Sequence, residues 1–258
     1  LKAFFEEDKI SMPKLPNKSI ALIFGVISSI IILPIFSEQF LLVSNATWFG
    51  TQDPIFGLDI GYFFFQKPFI ELTLIYLLVL IIFLTIYTAV YYIVAFNVYF
   101  NGINLQTLKK NTFIKQLTFN AMFVAIIIAF FAFLNSQNIL FEKFLNIDTG
   151  SEYAIYGAGL TDVTIKLWGY RILSVLVIVS VAVALYLFRK GKNKKAVVAL
   201  SVIPAYLVLL FIVMTAFQNI FVKQNELDRE KSFISYNIQN TKNAYNINIE
   251  EIELENTG

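Results

Sequence analysis

The sequence predicts an all-α polytopic membrane protein with about five transmembrane helices, its amino terminus inside the cell and its carboxyl terminus outside. Hydrophobic residues fill 57% of 258 positions and charged residues only 15%, and the mean hydropathy is +0.68. A soluble domain of this size cannot bury so much apolar surface, so the bilayer is the expected solvent. The apolar residues also form long runs, and basic residues concentrate in alternate segments between them.

Five apolar runs are long enough to cross a bilayer, whose hydrocarbon core requires about 20 helical residues. Each must cross as a helix, since backbone groups left unpaired in lipid are costly. Pro34 predicts a kink in the first helix, and Ala121, Ala125 and Ala129 predict close packing of the third, within the chain or in a dimer. We predict spans at 20–43, 69–96, 113–134, 170–188 and 196–222.

Lysine and arginine residues predict the orientation, because they are enriched in cytoplasmic loops. The segments before span one, between spans two and three, and between spans four and five together hold twelve; the alternate loops hold four, at Lys67, Lys143, Lys166 and Arg171. The amino terminus is therefore predicted to be cytoplasmic. The most compact block can also recruit anionic lipid, although its topological role suffices to explain it. It comprises Arg189, Lys190, Lys192, Lys194 and Lys195.

The chain divides into a cytoplasmic segment at 1–19, a transmembrane domain at 20–222 and an exterior tail at 223–258. The second exterior loop has Leu140, Phe144 and Ile147 at helical spacing, which predicts a short interfacial helix. In the tail, Asn225 with Asp228 is expected to open an amphipathic helix that leads into a soluble domain. Its predicted apolar stripe is Leu227, Ile234, Ile238, Thr241 and Tyr245. Because position 1 is Leu, we expect the chain to be a fragment.

The absence of both histidine and cysteine removes imidazole bases, thiol nucleophiles and the usual zinc and haem ligands. There is no Gly-x-Ser-x-Gly elbow either. We therefore expect no enzymatic activity, no cofactor and no metal. The net charge of +2 gives no reason to expect nucleic acid as a partner.

Two pairs of carboxylates are candidates for chemistry. Asp53 and Asp59 lie six residues apart in a loop rich in glycine, where they can bind a divalent cation or exchange protons. The alternative is that Asp53 and Pro54 begin a turn and Asp59 caps the next one. Glu38 and Glu71 lie near the exterior ends of their spans, where they either line an ion path or reach water at the interface.

Three motifs, in order along the chain, carry a resemblance to a known family. The first runs from Asp53-Pro54 through Gly57-Leu58-Asp59-Ile60-Gly61-Tyr62 to Pro68-Phe69. The second is Gly157-Ala158-Gly159-Leu160-Thr161-Asp162-Val163, where Thr161 or Asp162 is placed to cap span four. The third is Asn225-Glu226-Leu227, Tyr236-Asn237-Ile238 and Thr241-Lys242-Asn243-Ala244-Tyr245.

Together these motifs resemble the UPF0182 family of uncharacterised bacterial membrane proteins, over most of the chain. The resemblance implies a multi-pass protein of the plasma or inner membrane, with about seven helices and a large extracytoplasmic domain. It implies no catalytic residues. Asn243 and Asn246 depart from the family pattern. The motifs supply the candidate exterior interaction residues: Asp53, Pro54, Asp59, Thr161, Asp162, Asn225 and Glu226.

The leading functional hypothesis is a membrane-anchoring and assembly domain for an extracytoplasmic domain in the cell envelope. Its expected partners are the lipid bilayer and either other envelope proteins or further copies of the chain. The alternative is a transporter or channel for an unidentified solute, suggested by Pro34, Pro204, Glu38 and Glu71. No span is broken by paired glycine and proline at mid-depth, which argues against that alternative.

Overall fold

The computed structural model describes residues 16–99, 112–141, 157–245 and 247. Most of these residues are helical, with one isolated bridge between Gln52 and Asp59 and no strand in the described ranges, so the all-α prediction is confirmed. The α-helices are α1 (Asn17–Ser44), α2 (Lys67–Tyr99), α3 (Thr112–Asn135), α4 (Leu167–Arg189), α5 (Asn193–Ala216) and α6 (Glu226–Ala244).

Three π-helical segments adjoin these helices; two of them begin before the predicted span starts, and the third ends at residue 222, where the fifth span was predicted to end. They are Tyr62–Gln66 before α2, Asp162–Lys166 before α4 and Phe217–Val222 after α5. The Lys67 N–H donates to the Tyr62 carbonyl, five residues back, and Leu167 donates to Asp162 in the same way. Helical structure therefore starts at residues 62 and 162, well before the predicted span starts at 69 and 170.

Five helical stretches are long and apolar enough to cross a membrane, and they contain or overlap all five predicted spans. Their side chains are exposed in the manner of lipid-facing surfaces: Ile30 is 69% exposed, Val175 62% and Phe211 69%. Helix α1 continues through Pro34, and α5 continues through Pro204. The interfacial helix predicted around Phe144 and Ile147 lies outside the described residues.

One compact unit comprises Leu1–Asn135 and Tyr170–Tyr206. Its core forms where three alanines of α3 meet Leu173 and Val177 of α4. The alanines are Ala125, Ala129 and Ala132, so close intrachain packing occurs at two predicted positions and continues at Ala132 rather than at Ala121. Small side chains allow this approach. Between α2 and α3, the Asn120 amide donates to Thr85 Oγ1 at 3.0 Å.

The second compact unit comprises Ser136–Gly169 and Leu207–Gly258. It brings the start of α4 against α5 so closely that a Cβ on Gly169 would lie 2.4 Å from Leu210 Cδ1. Helix α6 begins after Asn225, whose amide donates to Asp228 at 2.8 Å, as the sequence predicted. The predicted apolar stripe is not the buried face: Leu227, Ile238 and Tyr245 are 80%, 51% and 75% exposed, whereas Glu230 is 1% exposed.

Candidate functional site

The loop between α1 and α2 is organised around the carboxylate of Asp59, which is buried. It accepts the backbone N–H of Phe49 at 3.2 Å, of Gly50 at 2.9 Å and of Gly61 at 2.7 Å. A Cβ on Gly61 would lie 2.9 Å from Asp59 Oδ1, so glycine is needed at that position. Asp59 therefore closes the loop by satisfying amides from both of its ends.

Asp53 forms the turn that the alternative interpretation predicted. Its Oδ1 accepts the N–H of Ile55 at 2.9 Å and of Phe56 at 2.8 Å. Its backbone carbonyl accepts the Gly57 N–H at 2.8 Å. Burial raises the pKa of Asp53, and the two amide hydrogen bonds oppose that rise. Both Asp53 and Asp59 thus direct their oxygens to backbone amides, and no cation-binding cluster of three or more His, Cys, Asp or Glu occurs in the described ranges.

A second site, in the other unit, consists of polar side chains buried together at helix ends. We call it the buried polar cluster: Thr161, Asp162, Lys166, Gln218 and Glu230, each 8% exposed or less. Asp162 and Lys166 belong to the π-helical segment before α4, and Gln218 belongs to the one after α5. Since π-helical turns are frequent at functional sites, this location supports the cluster as the candidate site.

Glu230 connects α6 to the loop before α4. Its two carboxylate oxygens accept the Leu160 N–H at 3.2 and 3.0 Å, across 70 residues of sequence. A second point of approach lies two turns along α6, where a Cβ on Gly157 would be 2.6 Å from Asn237 Nδ2. Gly157 also has a φ of +141°, which favours glycine. The second motif of the sequence is therefore the surface on which α6 rests.

The remaining contacts of the cluster link the two π-helical segments. Thr161 Oγ1 donates to Gln218 Oε1, and Asp162 Oδ2 accepts the Gly159 N–H at 3.1 Å. Lys166 Nζ lies 4.0 Å from Asp162 Oδ1. Of the two predicted capping residues, Thr161 does occupy the position before the helix, but its side chain bonds no first-turn amide, and the Asp162 carboxylate accepts the Gly159 N–H. The Thr161 hydroxyl instead serves the contact to Gln218.

Two lysines that the sequence analysis placed in exterior loops are buried in ion pairs. Lys67 is 6% exposed and its Nζ lies 3.3 Å from Glu71 Oε1. Lys166 is 8% exposed and pairs with Asp162. Lys67 directly follows the π-helical segment Tyr62–Gln66, and Lys166 is the last residue of the segment Asp162–Lys166. Glu71, one of the two candidates for an ion path, is thus the partner of Lys67.

The predicted site residues fall into three places. Asp53, Pro54 and Asp59 lie in the loop between α1 and α2, and Thr161 and Asp162 lie in the buried polar cluster. Asn225 and Glu226 lie at the start of α6, where Glu226 is half-buried. Sequence reasoning missed Lys166, Gln218 and Glu230. The one available signal was the glycine-rich motif at 157–159, whose free amides need acceptors from elsewhere in the chain.

Most polar groups of the buried polar cluster pair with other groups of the protein. The carboxylates of Glu230 and Asp162 repel each other, and Lys166 supplies the compensating positive charge. Asp162 Oδ1 accepts no hydrogen bond from the described residues. The other polar groups bond to each other or to backbone amides, which suits the cluster to holding helices together.

Comparison with known proteins gives relatives of much greater length. A protein of Clostridium perfringens, described as a UPF0182 protein, is 30% identical over 225 residues, which are 84% of this chain and 23% of the relative. A UPF0182 protein of Caldicellulosiruptor saccharolyticus is 31% identical over 217 residues, or 83% of this chain and 23% of the relative. The chain thus spans about a quarter of these curated relatives.

A third relative extends the match, since a UPF0182 protein of Clostridium botulinum is 28% identical over 254 residues, 93% of this chain and 28% of the relative. No solved structure matches the chain. The model of the uncharacterised protein family UPF0182 matches residues 5–258. With nearly its whole length matched, and with the three motifs and five apolar helices in place, this chain belongs to the UPF0182 family.

Proposed function

We propose that this chain is the membrane anchor of a longer protein of the bacterial cell envelope, and that it holds α6 in a fixed orientation on the exterior side. The observation that carries the proposal is the contact between Glu230 on α6 and the Leu160 amide before α4. A flexible tether has no need of such a contact. A helix that must present a following domain in one direction does.

The physical basis is the cost of separating Glu230 from its partner. Glu230 is 1% exposed and its hydrogen bonds to the Leu160 amide are part-buried, so swinging α6 away breaks a protected contact to a charged acceptor. A hydrogen bond to a charged group contributes about 1.5–3 kcal/mol. The close approach of Gly157 to Asn237 adds a second point of attachment, and two points define the direction of a helix.

The length of the relatives suggests what the helix presents. This chain corresponds to about a quarter of each of them, and we propose that the remainder includes an extracytoplasmic domain to which α6 leads. In this role the membrane segment is not itself catalytic. Its partners are the bilayer and either other envelope proteins or additional copies of the chain.

The orientation is tested by thiol labelling, for which residues 1–258 contribute no cysteine of their own. Single cysteines at Thr51, Asn193 and Ser232, all exposed positions, are treated in intact cells with a membrane-impermeant maleimide. We expect labelling at positions 51 and 232 only, with position 193 reacting after permeabilisation. Labelling of position 193 in intact cells would contradict the inward amino terminus.

The fixed direction of α6 is tested by distance measurement between spin labels at Thr164→Cys and Ser232→Cys, both exposed and in the same compact unit. The parent protein is expected to give a narrow distance distribution. Glu230→Ala is expected to broaden it, because the Leu160 amide loses its acceptor and α6 gains freedom. The distances are measured by pulsed electron–electron double resonance on the full-length protein in nanodiscs.

The matched control is Gln239→Ala, at an exposed position of the same helix, which should leave the distribution narrow. In cells, Glu230→Ala and removal of the sequence after α6 should both fail to complement a gene deletion, although both proteins insert. Complementation by the truncated protein would show that the membrane segment acts alone. An unchanged distribution in Glu230→Ala would show that the Glu230 contact does not orient α6.

The transporter alternative gains no feature from the structure. Glu71 is accounted for by its ion pair with Lys67 in the first turns of α2. Glu38 is exposed near the end of α1. Helices α1 and α5 both continue through their prolines rather than breaking into half-helices, the arrangement that creates midplane ion sites in transporters.

A further inference from the structure

A groove of about 410 Å³ lies between the first turns of α3 and the last turns of α4, within one compact unit. Its lining is apolar along the walls and basic at one end. Phe119, Met122, Leu185 and Tyr186 form apolar walls, while Lys115 and Arg189 lie at the end nearest the basic block.

Within the described ranges, the charges at this groove have no ion-pair partner. No Asp or Glu occurs between Glu71 and Glu142 or between Asp162 and Glu226, so both walls and the adjoining loop lack acidic residues altogether. In the described part of the chain, neither Lys115 nor Arg189 forms an ion pair. A third cation is held nearby, since Lys190 Nζ lies 4.6 Å from the centre of the Tyr186 ring, which itself lines the groove.

From this arrangement we propose that the groove binds one anionic phospholipid, with its phosphate against Lys115, Arg189 and Lys190 and an acyl chain along the apolar walls. Charge complementarity selects the occupant. A protein partner would need an acidic segment at the hydrocarbon boundary. An anionic lipid supplies both a negative charge for the basic end and an apolar chain for the walls. Basic pockets between transmembrane helices on the cytoplasmic side commonly bind such headgroups.

This site differs from general attraction of the basic block to a charged surface. Attraction of the basic block to a charged membrane surface depends on the number of charges and not on their exact positions, and it does not involve the apolar walls of the groove. A bound lipid depends on the three cations at the groove and on the space between α3 and α4. Those two dependences are separable by mutation, because the block contains three further lysines outside the groove lining: Lys192, Lys194 and Lys195.

The test is lipid titration of the full-length protein in detergent, followed by native mass spectrometry, with phosphatidylglycerol and phosphatidylcholine of identical acyl chains. We expect one phosphatidylglycerol to bind preferentially. Replacing Lys115, Arg189 and Lys190 together by Gln should weaken its binding about 100-fold, at about fivefold per charge. The charge-matched control, in which Lys192, Lys194 and Lys195 become Gln, should lose about fivefold or less.

A second variant keeps every charge, because Arg189 and Lys190 also contribute to the predicted orientation of the chain. Met122→Phe with Leu185→Phe fills the groove and should weaken phosphatidylglycerol binding about tenfold. Inorganic phosphate should not displace the lipid. Equal binding of the two lipids, equal losses in the two triple variants, unchanged binding in the filled groove, or displacement by inorganic phosphate would each overturn the proposal.

Discussion

Replacing Asp59 with alanine is expected to lower the free energy of unfolding by about 3–5 kcal/mol. Its carboxylate is the acceptor for three backbone amides, those of Phe49, Gly50 and Gly61. Each hydrogen bond to a charged acceptor contributes about 1.5–3 kcal/mol, and the total falls below the sum because the loop relaxes toward water. The loss is measured by denaturant titration in mixed micelles and by faster hydrogen exchange at the three amides.

Asp53→Asn is the matched comparison in the same loop. Asparagine keeps the oxygen that accepts the Ile55 and Phe56 amides. The pKa of Asp53 is raised in the folded state, so above its unfolded pKa the ionised form costs stability, and asparagine removes that cost. At pH 7 we therefore expect Asp53→Asn to be neutral or slightly stabilising. Equal destabilisation by Asp59→Ala and Asp53→Asn would show that Asp59 does not organise the loop.

The five apolar helices were predictable because a bilayer would impose a simple rule on the sequence. A helix that crosses hydrocarbon requires an apolar run of fixed minimum length, and each of the five runs is a helix in the structure. The helix starts were less predictable. The aromatic residues of Tyr62–Gln66 are as typical of a membrane interface as of a helix. A π-helical turn, in which each N–H bonds to the carbonyl five residues back, also leaves no periodic pattern in the sequence.

The candidate site was only partly predictable, for a different reason. Thr161 and Asp162 belong to a local motif and could be selected from it. Gln218 and Glu230 join the cluster through contacts to residues 57 and 70 positions away, and no local pattern encodes such distances. Lys166 was counted as a loop charge because counting basic residues takes no account of burial.

The tail shows how a correct helix prediction can leave the face that anchors the helix unidentified. Helix α6 has both an apolar stripe and a line of polar residues, and helical periodicity fits either one. The apolar stripe was predicted as the face that needs something to pack on, with a soluble domain expected to follow. In the structure α6 is held by Glu230 and approached by Gly157 at Asn237, while Leu227 remains exposed.

Replacing Lys166 with methionine is expected to lower the free energy of unfolding by about 3–5 kcal/mol, the usual cost of removing one partner of a buried ion pair. Asp162 is 3% exposed, so without the cation 4.0 Å away its carboxylate must either stay charged and unpaired or take up a proton. The nearby carboxylate of Glu230 adds repulsion. The measurement is denaturant unfolding of the full-length protein in mixed micelles, monitored by circular dichroism.

Two further variants separate loss of the charge pair from loss of packing. Combining Lys166→Met with Asp162→Asn should recover most of the stability, because asparagine still accepts the Gly159 amide and no buried charge remains. Lys67→Met is the matched control: Lys67 is equally buried, but its partner Glu71 is 32% exposed and can be hydrated, so about 1 kcal/mol or less should be lost. Equal losses for both lysines, without recovery in the double variant, would assign the effect to packing of the lysine side chains and not to the isolated charge of Asp162.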